Sequence, residues 1–278
     1  MDWSEVILLV AVAAVLFLYI RLMLKNKRLR QMADEANRLR LEATEAERRN
    51  RQLKQEMTSN IAHELKTPVS SIRGYLEILL GDKPVDDERR RHYLERSYSQ
   101  TLRLSDLIQD VSIINKLEES ADLFPRTEVD ACEVAKEAIS DLADKAAAAG
   151  ITVHNDLPSM TLTGNHELLY CIFRNLVENS IAYAGRDISI VLETYREESD
   201  YYYIHYYDTG KGVADEYLSR LFDRFVRIDE GRSRQNGGTG LGLSIVKHAV
   251  LFHGGEIYAK NRAEGGLEYF FSLRKIRN

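Results

Sequence analysis

Only 2 cysteines, 4 prolines and 1 tryptophan occur among the 278 residues, and each scarcity excludes something. Cys132 and Cys171 stand inside helical patterns with no C-x-x-C spacing, which argues against a disulfide or a zinc site and fits a reducing compartment where both are packing residues. Neither proline nor glycine interrupts residues 25–67, so that stretch can be one continuous helix. Surplus basic charge is also missing. With 38 Lys and Arg against 43 Asp and Glu the net charge is -5, and such a chain has no general attraction to nucleic acid.

What is present suits one membrane segment followed by two modest cytosolic domains, given 44% hydrophobic and 29% charged residues. Residues 6–20 are an uninterrupted apolar run, and a snorkelling Arg21 lets Leu22, Met23 and Leu24 extend it to the roughly 20 residues a bilayer needs. Trp3 and Tyr19 would sit near the two interfaces. Asp2 and Glu5 precede the run, while Arg21, Lys25, Lys27, Arg28 and Arg30 follow it. The positive-inside bias therefore places the C-terminal side in the cytoplasm, as a single-pass anchor in the inner (cytoplasmic) membrane. A cleaved signal peptide would need a basic start and a small-x-small site, and neither is there.

Leu29, Met32, Ala36, Leu39, Ala43, Ala46, Asn50, Leu53, Met57 and Asn60 recur at alternating steps of three and four, the spacing of a coiled-coil seam, so a homodimer is expected with Asn50 fixing its register. Ile72, Leu76 and Leu79 continue an apolar pattern up to Gly81-Asp82-Lys83-Pro84, which reads as a helix end and turn. Leu104, Leu107, Val111 and Ile114 mark the returning helix. Two such hairpins pack as a four-helix bundle. His63 falls off the seam and faces outward. As a neutral imidazole it is a competent nucleophile, with Glu64 beside it to hold its tautomer or take its proton. Thr67 lies one turn on, placed to orient a water, and Pro68 should bend or loosen the helix.

After Phe124-Pro125-Arg126 a second domain begins. Asp130 and Glu133 form a capping box for an Ala-rich helix that Gly150 closes. Strands are expected over residues 151–154, 188–195, 202–207 and 269–273, with helices around 166–184 and 243–252, so an α/β sandwich follows. The tyrosine-rich strand reads as sheet surface. Asn175, Asn179 and Tyr183 lie at successive steps of four. They form one stripe in which an Asn carbonyl suits magnesium already carrying nucleotide phosphates and a Tyr ring can lie against adenine. Asp208, followed by Thr209-Gly210-Lys211-Gly212, can accept the adenine amino hydrogen where the glycines let the base approach. Gly237-Gly238-Thr239-Gly240-Leu241-Gly242 precedes a helix whose N-terminus and amides can cradle phosphates. Residues 229–237 read as a mobile lid.

In this order, the string Asn60-Ile61-Ala62-His63-Glu64-Leu65-Lys66-Thr67-Pro68, the Asn stripe and the two glycine boxes resemble the sensor histidine kinases of two-component signalling, over roughly residues 55–276. The resemblance implies that His63 is the phosphoacceptor, that Glu64 assists the kinase reaction, and that Thr67 serves phosphatase activity on the regulator. It also implies a GHKL-type ATP pocket built from Asn175, Asn179, Tyr183, Asp208, Gly210, Gly212, Gly238, Thr239, Gly240, Leu241 and Gly242, with magnesium held through Asn179. Leu221 to Arg227 match the family's F box, so Phe225 is expected to pack the lid and Arg227 to reach the γ-phosphate. An asparagine at 175, where hydrolytic relatives of the superfamily carry a glutamate, fits a kinase that keeps water from that phosphate. Ala182 stands where many members have a basic residue, so one phosphate contact is missing or comes from Lys211 or Arg227.

The expected architecture is thus a membrane-anchored multidomain chain: transmembrane anchor 1–24, coiled-coil helix 25–55, dimerisation and phosphotransfer domain 56–122, and ATP-binding domain 128–278, with a hinge near 122–128. Its expected partners are ATP, Mg2+, a response regulator receiver domain and a second copy. The sequence leaves no room for a folded sensor domain, so input is expected through the membrane helix, with a membrane-protein partner favoured by the small residues Ala11, Ala13 and Ala14. Two rivals stay open: a GHKL ATPase acting as a conformational clamp, and a phosphatase-dominant regulator.

Overall fold

The computed structural model describes residues 2–81, 83–119, 123–227 and 238–276. Side chains 3–14, the seam residues Leu29, Ala36, Ala46, Asn50 and Leu53, and the expected lid 229–237 lie outside the described residues, as does residue 122 of the expected hinge. The chain divides into two compact units, Met1–Ser59 and Asn60–Asn278.

The first unit is helical and belongs to α1 (Trp3–Leu80). Its polar surface is laced by pairs four residues apart, Arg38 with Glu42 at 3.0 Å and Arg49 with Glu45 at 3.7 Å, each contributing a few tenths of a kcal/mol. The apolar side chains from Val15 to Ile20 are exposed, as are Met32 and Leu39 of the expected seam. Among the described residues no helix is long and apolar enough to cross a membrane.

In the second unit the last part of α1 meets α2 (Asp87–Glu119), with Tyr75 stacked on Tyr93 at 5.7 Å between ring centroids. The helix α1 runs through Pro68 as one element. Proline removes one backbone donor, and its ring lies buried against the hairpin, where packing offsets that loss.

Beyond residue 123 come β1 (Thr127–Asp130), α3 (Ala131–Asp141), α4 (Ala143–Ala148), β2 (Thr152–Asn155), β3 (Thr161–Gly164), α5 (His166–Tyr183), β4 (Ser189–Glu197), β5 (Tyr201–Asp208), α6 (Asp215–Leu218), α7 (Gly242–Phe252), β6 (Ile257–Asn261) and β7 (Leu267–Arg274). The main sheet has order β2-β4-β5-β7-β6, and β1 pairs with β3 in a separate two-stranded sheet. β2 runs parallel to β4 and the other neighbours are antiparallel. Period-two alternation decides what each face carries. Ile204, Tyr206 and Asp208 point into the core, where α5 lies between α3 and α7, while His205 and Tyr207 lie on the outer face beside Phe270. The tyrosines of β5 therefore divide between core and sheet surface.

Two local expectations need correction. The Ala-rich helix closed by Gly150 is two helices, because the chain steps out of helical geometry at Leu142 (φ -101°, ψ 1°), whose side chain is drawn into the core. Asp130 caps α3 by accepting from the Cys132 amide at 2.8 Å, but Glu133 pairs with Lys136 at 2.6 Å. The anchor of Asp130 is instead the β3 approach, through Ser159 Oγ at 2.6 Å and the Met160 amide at 3.0 Å. Burial tends to raise the Asp130 carboxyl, and these bonds outweigh it and hold it below its ordinary value.

Within the expected hinge stretch, residues 124–126 are tethered by side-chain contacts. Phe124 is buried edge-on against Phe252, Arg126 lies 4.3 Å over the same ring and donates to its carbonyl at 2.8 Å, and Asn165 donates to the Pro125 carbonyl at 3.0 Å. Residues 124–126 are thus fastened to the ATP-binding half.

Candidate functional site

The Asn stripe is oriented by its own helix. Asn165 caps α5 by accepting from the Leu168 amide at 3.0 Å, and its backbone N–H donates to His253 Nε2 at 3.1 Å. His253 in turn donates from Nδ1 to the Ala249 carbonyl at 2.7 Å; it is buried and neutral, pulled down to about 4 by burial. With α5 thus tied to the end of α7, Leu169, Phe173 and Leu176 are fully buried while Asn175, Asn179 and Tyr183 turn toward the glycine boxes.

Three contacts show how tightly these parts meet. A Cβ on Gly242, the first residue of α7, would lie 2.5 Å from Asn175 Oδ1, and one on Gly238 would collide with the Tyr183 hydroxyl. Gly240 adopts φ +74° and accepts the Phe225 amide at 2.8 Å, while Phe225 itself sits at φ +61°. A left-handed phenylalanine is strained by about 1 kcal/mol or more. Here its backbone is held by the glycine box, and the lid stretch it is expected to pack lies outside the described residues. Thr239 accepts the Leu241 amide at 3.2 Å, which shapes the turn into the α7 N-terminus.

Beneath the pocket runs a buried polar network. Asp208 accepts from Ser180 Oγ at 2.9 Å, the Gly210 amide at 2.9 Å and the Leu267 amide at 3.3 Å. The Tyr206 hydroxyl lies 2.9 Å from both the Ser180 hydroxyl oxygen and the Leu176 carbonyl, which share its one proton, and Asn179 donates to the Tyr269 hydroxyl at 2.9 Å. Burial pushes both tyrosine hydroxyls far up, so they act only as neutral donors and acceptors. Ser180, Tyr206 and Tyr269 were missed in the sequence, where the tyrosines sat in aromatic runs; only the step of one from Asn179 to Ser180 hinted at them. Gly212, at φ +66°, is pinned through the next residue, since Asn261 accepts from the Val213 amide at 3.0 Å and donates to its carbonyl at 2.6 Å.

The helix strip around His63 meets the glycine-box side through Glu64. His63 and Thr67 are exposed on α1, and Thr67 Oγ1 donates to the His63 carbonyl at 3.4 Å. Glu64 Oε2 instead accepts from Arg227 at 2.8 Å and stands 3.7 Å from Arg103 of α2, while Arg227 also donates to the Gly238 carbonyl at 2.5 Å. Farther along α2, Asp110 accepts from the Thr239 hydroxyl at 2.8 Å, and Asp106 lies 3.8 Å from Arg174 of α5. Burial raises the Asp110 carboxyl to about 6, against the opposing pull of Thr239 and Arg174. Arg103, Asp106 and Asp110 therefore form a charged docking face, which the apolar reading of this helix overlooked.

Residues 53–120 match the His Kinase A (phospho-acceptor) domain, and residues 164–277 the histidine kinase-, DNA gyrase B- and HSP90-like ATPase family. The chain is 33% identical over 243 residues to the sensor-like histidine kinase SenX3 of Mycolicibacterium smegmatis, an alignment spanning 86% of this chain and 60% of that protein. It is 30% identical over 229 residues to the signal transduction histidine-protein kinase BaeS of Escherichia coli, spanning 81% and 48%. It thus covers about half of these relatives' length. Among solved structures, the Acinetobacter baumannii histidine kinase AdeS shares the fold at TM-score 0.60 and 22% identity, over 78% of this chain and 98% of that one. Histidine kinase ThkA in complex with the response regulator TrrA does so at TM-score 0.61 and 21% identity, over 80% and 61%.

Proposed function

The chain belongs to the sensor histidine kinases of two-component systems, and on that premise we propose that it moves the γ-phosphoryl group of ATP to His63, then to an aspartate in the receiver domain of a response regulator, which it also dephosphorylates. One observation carries the reading: Glu64, the neighbour of exposed His63, touches Arg227, whose other bond is to Gly238 of the glycine box. Nucleophile strip and phosphate cradle are within one side chain of each other.

The donor set suits a nucleotide. The amide nitrogens of Asn175 and Asn179 are committed to Cys171 and Tyr269, which leaves each carbonyl oxygen as the group turned toward the site, hard donors suited to Mg2+. A magnesium ion carried by the triphosphate and held through Asn179 would offset phosphate charge. The α7 N-terminus and the Thr239–Leu241 turn bind the phosphates, the Asp208 network receives the adenine edge, and Tyr183 flanks the cradle at Gly238. Glu64 takes the imidazole proton once it leaves Arg227, and Thr67 orients water for the regulator's phosphoaspartate.

The apolar surface from Val15 to Ile20, followed by Arg21, Lys25 and Lys27, supports anchoring in the cytoplasmic membrane with the catalytic domains in the cytoplasm. Exposed Leu76, Leu94, Tyr98 and Leu102 on the hairpin support a homodimeric four-helix bundle. A membrane-protein sensory partner against residues 6–20 completes the proposal. The test is labelled ATP with magnesium: wild type should gain acid-labile, alkali-stable label, and His63→Gln should gain none while binding nucleotide normally. Acid-stable label persisting in the variant would overturn the reading.

A further inference from the structure

The nucleotide-facing stripe of α5 is neutral, made of two amides and a phenol, yet a triphosphate end carries several negative charges that need cations. Two guanidiniums act on Tyr183 in this stripe, Arg227 and Arg103. They converge on the same carboxylate oxygen, Glu64 Oε2, at 2.8 and 3.7 Å. All three groups are largely enclosed, with side-chain exposures of 13%, 16% and 19% for Arg227, Arg103 and Glu64. Two positive charges thus share one negative charge in a poorly solvated spot, and desolvated charges are stable only when balanced. The strain registers on Arg103, whose guanidinium is pulled down from its ordinary value by burial and then by Arg227. Arg227 at the same time holds the Gly238 carbonyl at the rim of the cradle.

We infer that Arg103, supplied by the phosphoacceptor hairpin, joins Arg227 as a two-guanidinium seat for the terminal phosphate of ATP, with the Glu64 carboxylate occupying that seat until the phosphate displaces it. Arg103 is then a binding residue contributed to the nucleotide pocket from outside the ATP-binding domain, and the planar forks of two arginines suit a tetrahedral phosphate. Displacement also frees Glu64 beside His63, so arrival of the terminal phosphate and release of the proton acceptor become one event. Asp106 and Asp110 lie one and two turns along the same face of α2 and are engaged by Arg174 and Thr239, which sets the height at which Arg103 meets the cradle.

This inference rests on the kinase reading, and the experiment separates the two. Affinities of ADP and of the non-transferable β,γ-imido analogue of ATP are measured by calorimetry with magnesium on the full chain in detergent, for wild type, Arg103→Ala and Arg103→Lys. The analogue should bind at least about tenfold more weakly to Arg103→Ala, by about the loss of one charge-assisted contact, and less weakly to Arg103→Lys, while ADP binding stays within about twofold. Retained ADP binding also shows that the variants are folded. An unchanged analogue-to-ADP ratio, or a parallel fall in both affinities as a merely structural salt bridge would give, overturns the seat. Wild type that binds neither nucleotide, or gains no label on His63, would instead overturn the kinase reading.

Discussion

Asp208 and His63 both carry polar groups to which a role is assigned, and the chain holds them in opposite ways. Asp208 is buried with three donors on its carboxylate, and its neighbours Ser180, Tyr206, Asn179 and Tyr269 are tied to one another. His63 and Thr67 stand exposed on a single helix, and the hydrogen bond between them stays within that helix. The nucleotide side is preorganised, as a pocket that must recognise a base and cradle phosphates requires. The His63 side is open, as the proposed transfer from an ATP domain to a separate receiver domain requires. Substitutions should therefore cost stability on the first side and activity on the second.

The largest expected effect on stability comes from Asp208→Ala, which strips the Ser180 hydroxyl and the Gly210 and Leu267 amides of their shared acceptor. Buried groups left without a partner cost about 1–3 kcal/mol each before relaxation, so a loss of about 3 kcal/mol in urea unfolding is expected together with loss of adenine binding. A variant as stable as wild type would place this carboxylate outside the structural network.

His253 extends the comparison to pH. Its folded value of about 4 lies below the ordinary 6.5, so between those values the unfolded chain binds a proton that the folded chain refuses. The contribution of neutral His253 is complete above about pH 6.5, falls as pH drops through that window, and levels off below about pH 4, a loss of about 3 kcal/mol at most. Asp110, raised to about 6, contributes with the opposite sign below that value, so the His253 share is read as the stability difference between wild type and His253→Asn at pH 7.5, 5.5 and 4.5, which should shift against wild type as pH falls. Receiver docking on the exposed strip should not share that shift.

The two halves were also unequally legible. β4, β5 and β7 run for eight or nine residues rich in aromatic and β-branched side chains and were expected in place, whereas β1, β3 and β6 span only four or five. Such short strands have too few positions to show a period. The glycine boxes and the Asn stripe were readable because close approach and steps of four leave marks in local sequence. The docking face of Arg103, Asp106 and Asp110 left none, since charges on a helix are most often simply solvated and their partners Glu64, Arg174 and Thr239 lie far along the chain.

One substitution made twice sharpens the contrast. At Gly242 an added Cβ meets Asn175 Oδ1 at 2.5 Å, whereas at Gly74, inside α1, it meets nothing within 4 Å. Gly242→Ala should displace Asn175 and weaken nucleotide binding by about 1–2 kcal/mol, roughly tenfold. Gly74→Ala should stabilise the hairpin by about 1 kcal/mol through helix propensity alone. Equal signs in the two melting and binding measurements would undo the distinction between a packed pocket and an open helix.

The smallest expected change in stability, and the most selective change in activity, belongs to Thr67→Ala. The Thr67 hydroxyl is exposed and donates at 3.4 Å to the His63 carbonyl within its own helix. A bond that long to a carbonyl already available to the helix ladder contributes little, and alanine is the better helix former, so the melting temperature should stay within a degree or so. Phosphorylation of His63 should persist near the wild-type rate, because the hydroxyl faces solvent and is assigned neither to the imidazole proton nor to the nucleotide. Dephosphorylation of the phosphorylated regulator should slow by about 10-fold or more, the usual scale for losing a group that positions a reacting water. Parallel loss of both activities would show that Thr67 instead supports the helix beside Pro68, and the open side of the comparison would then be structural as well.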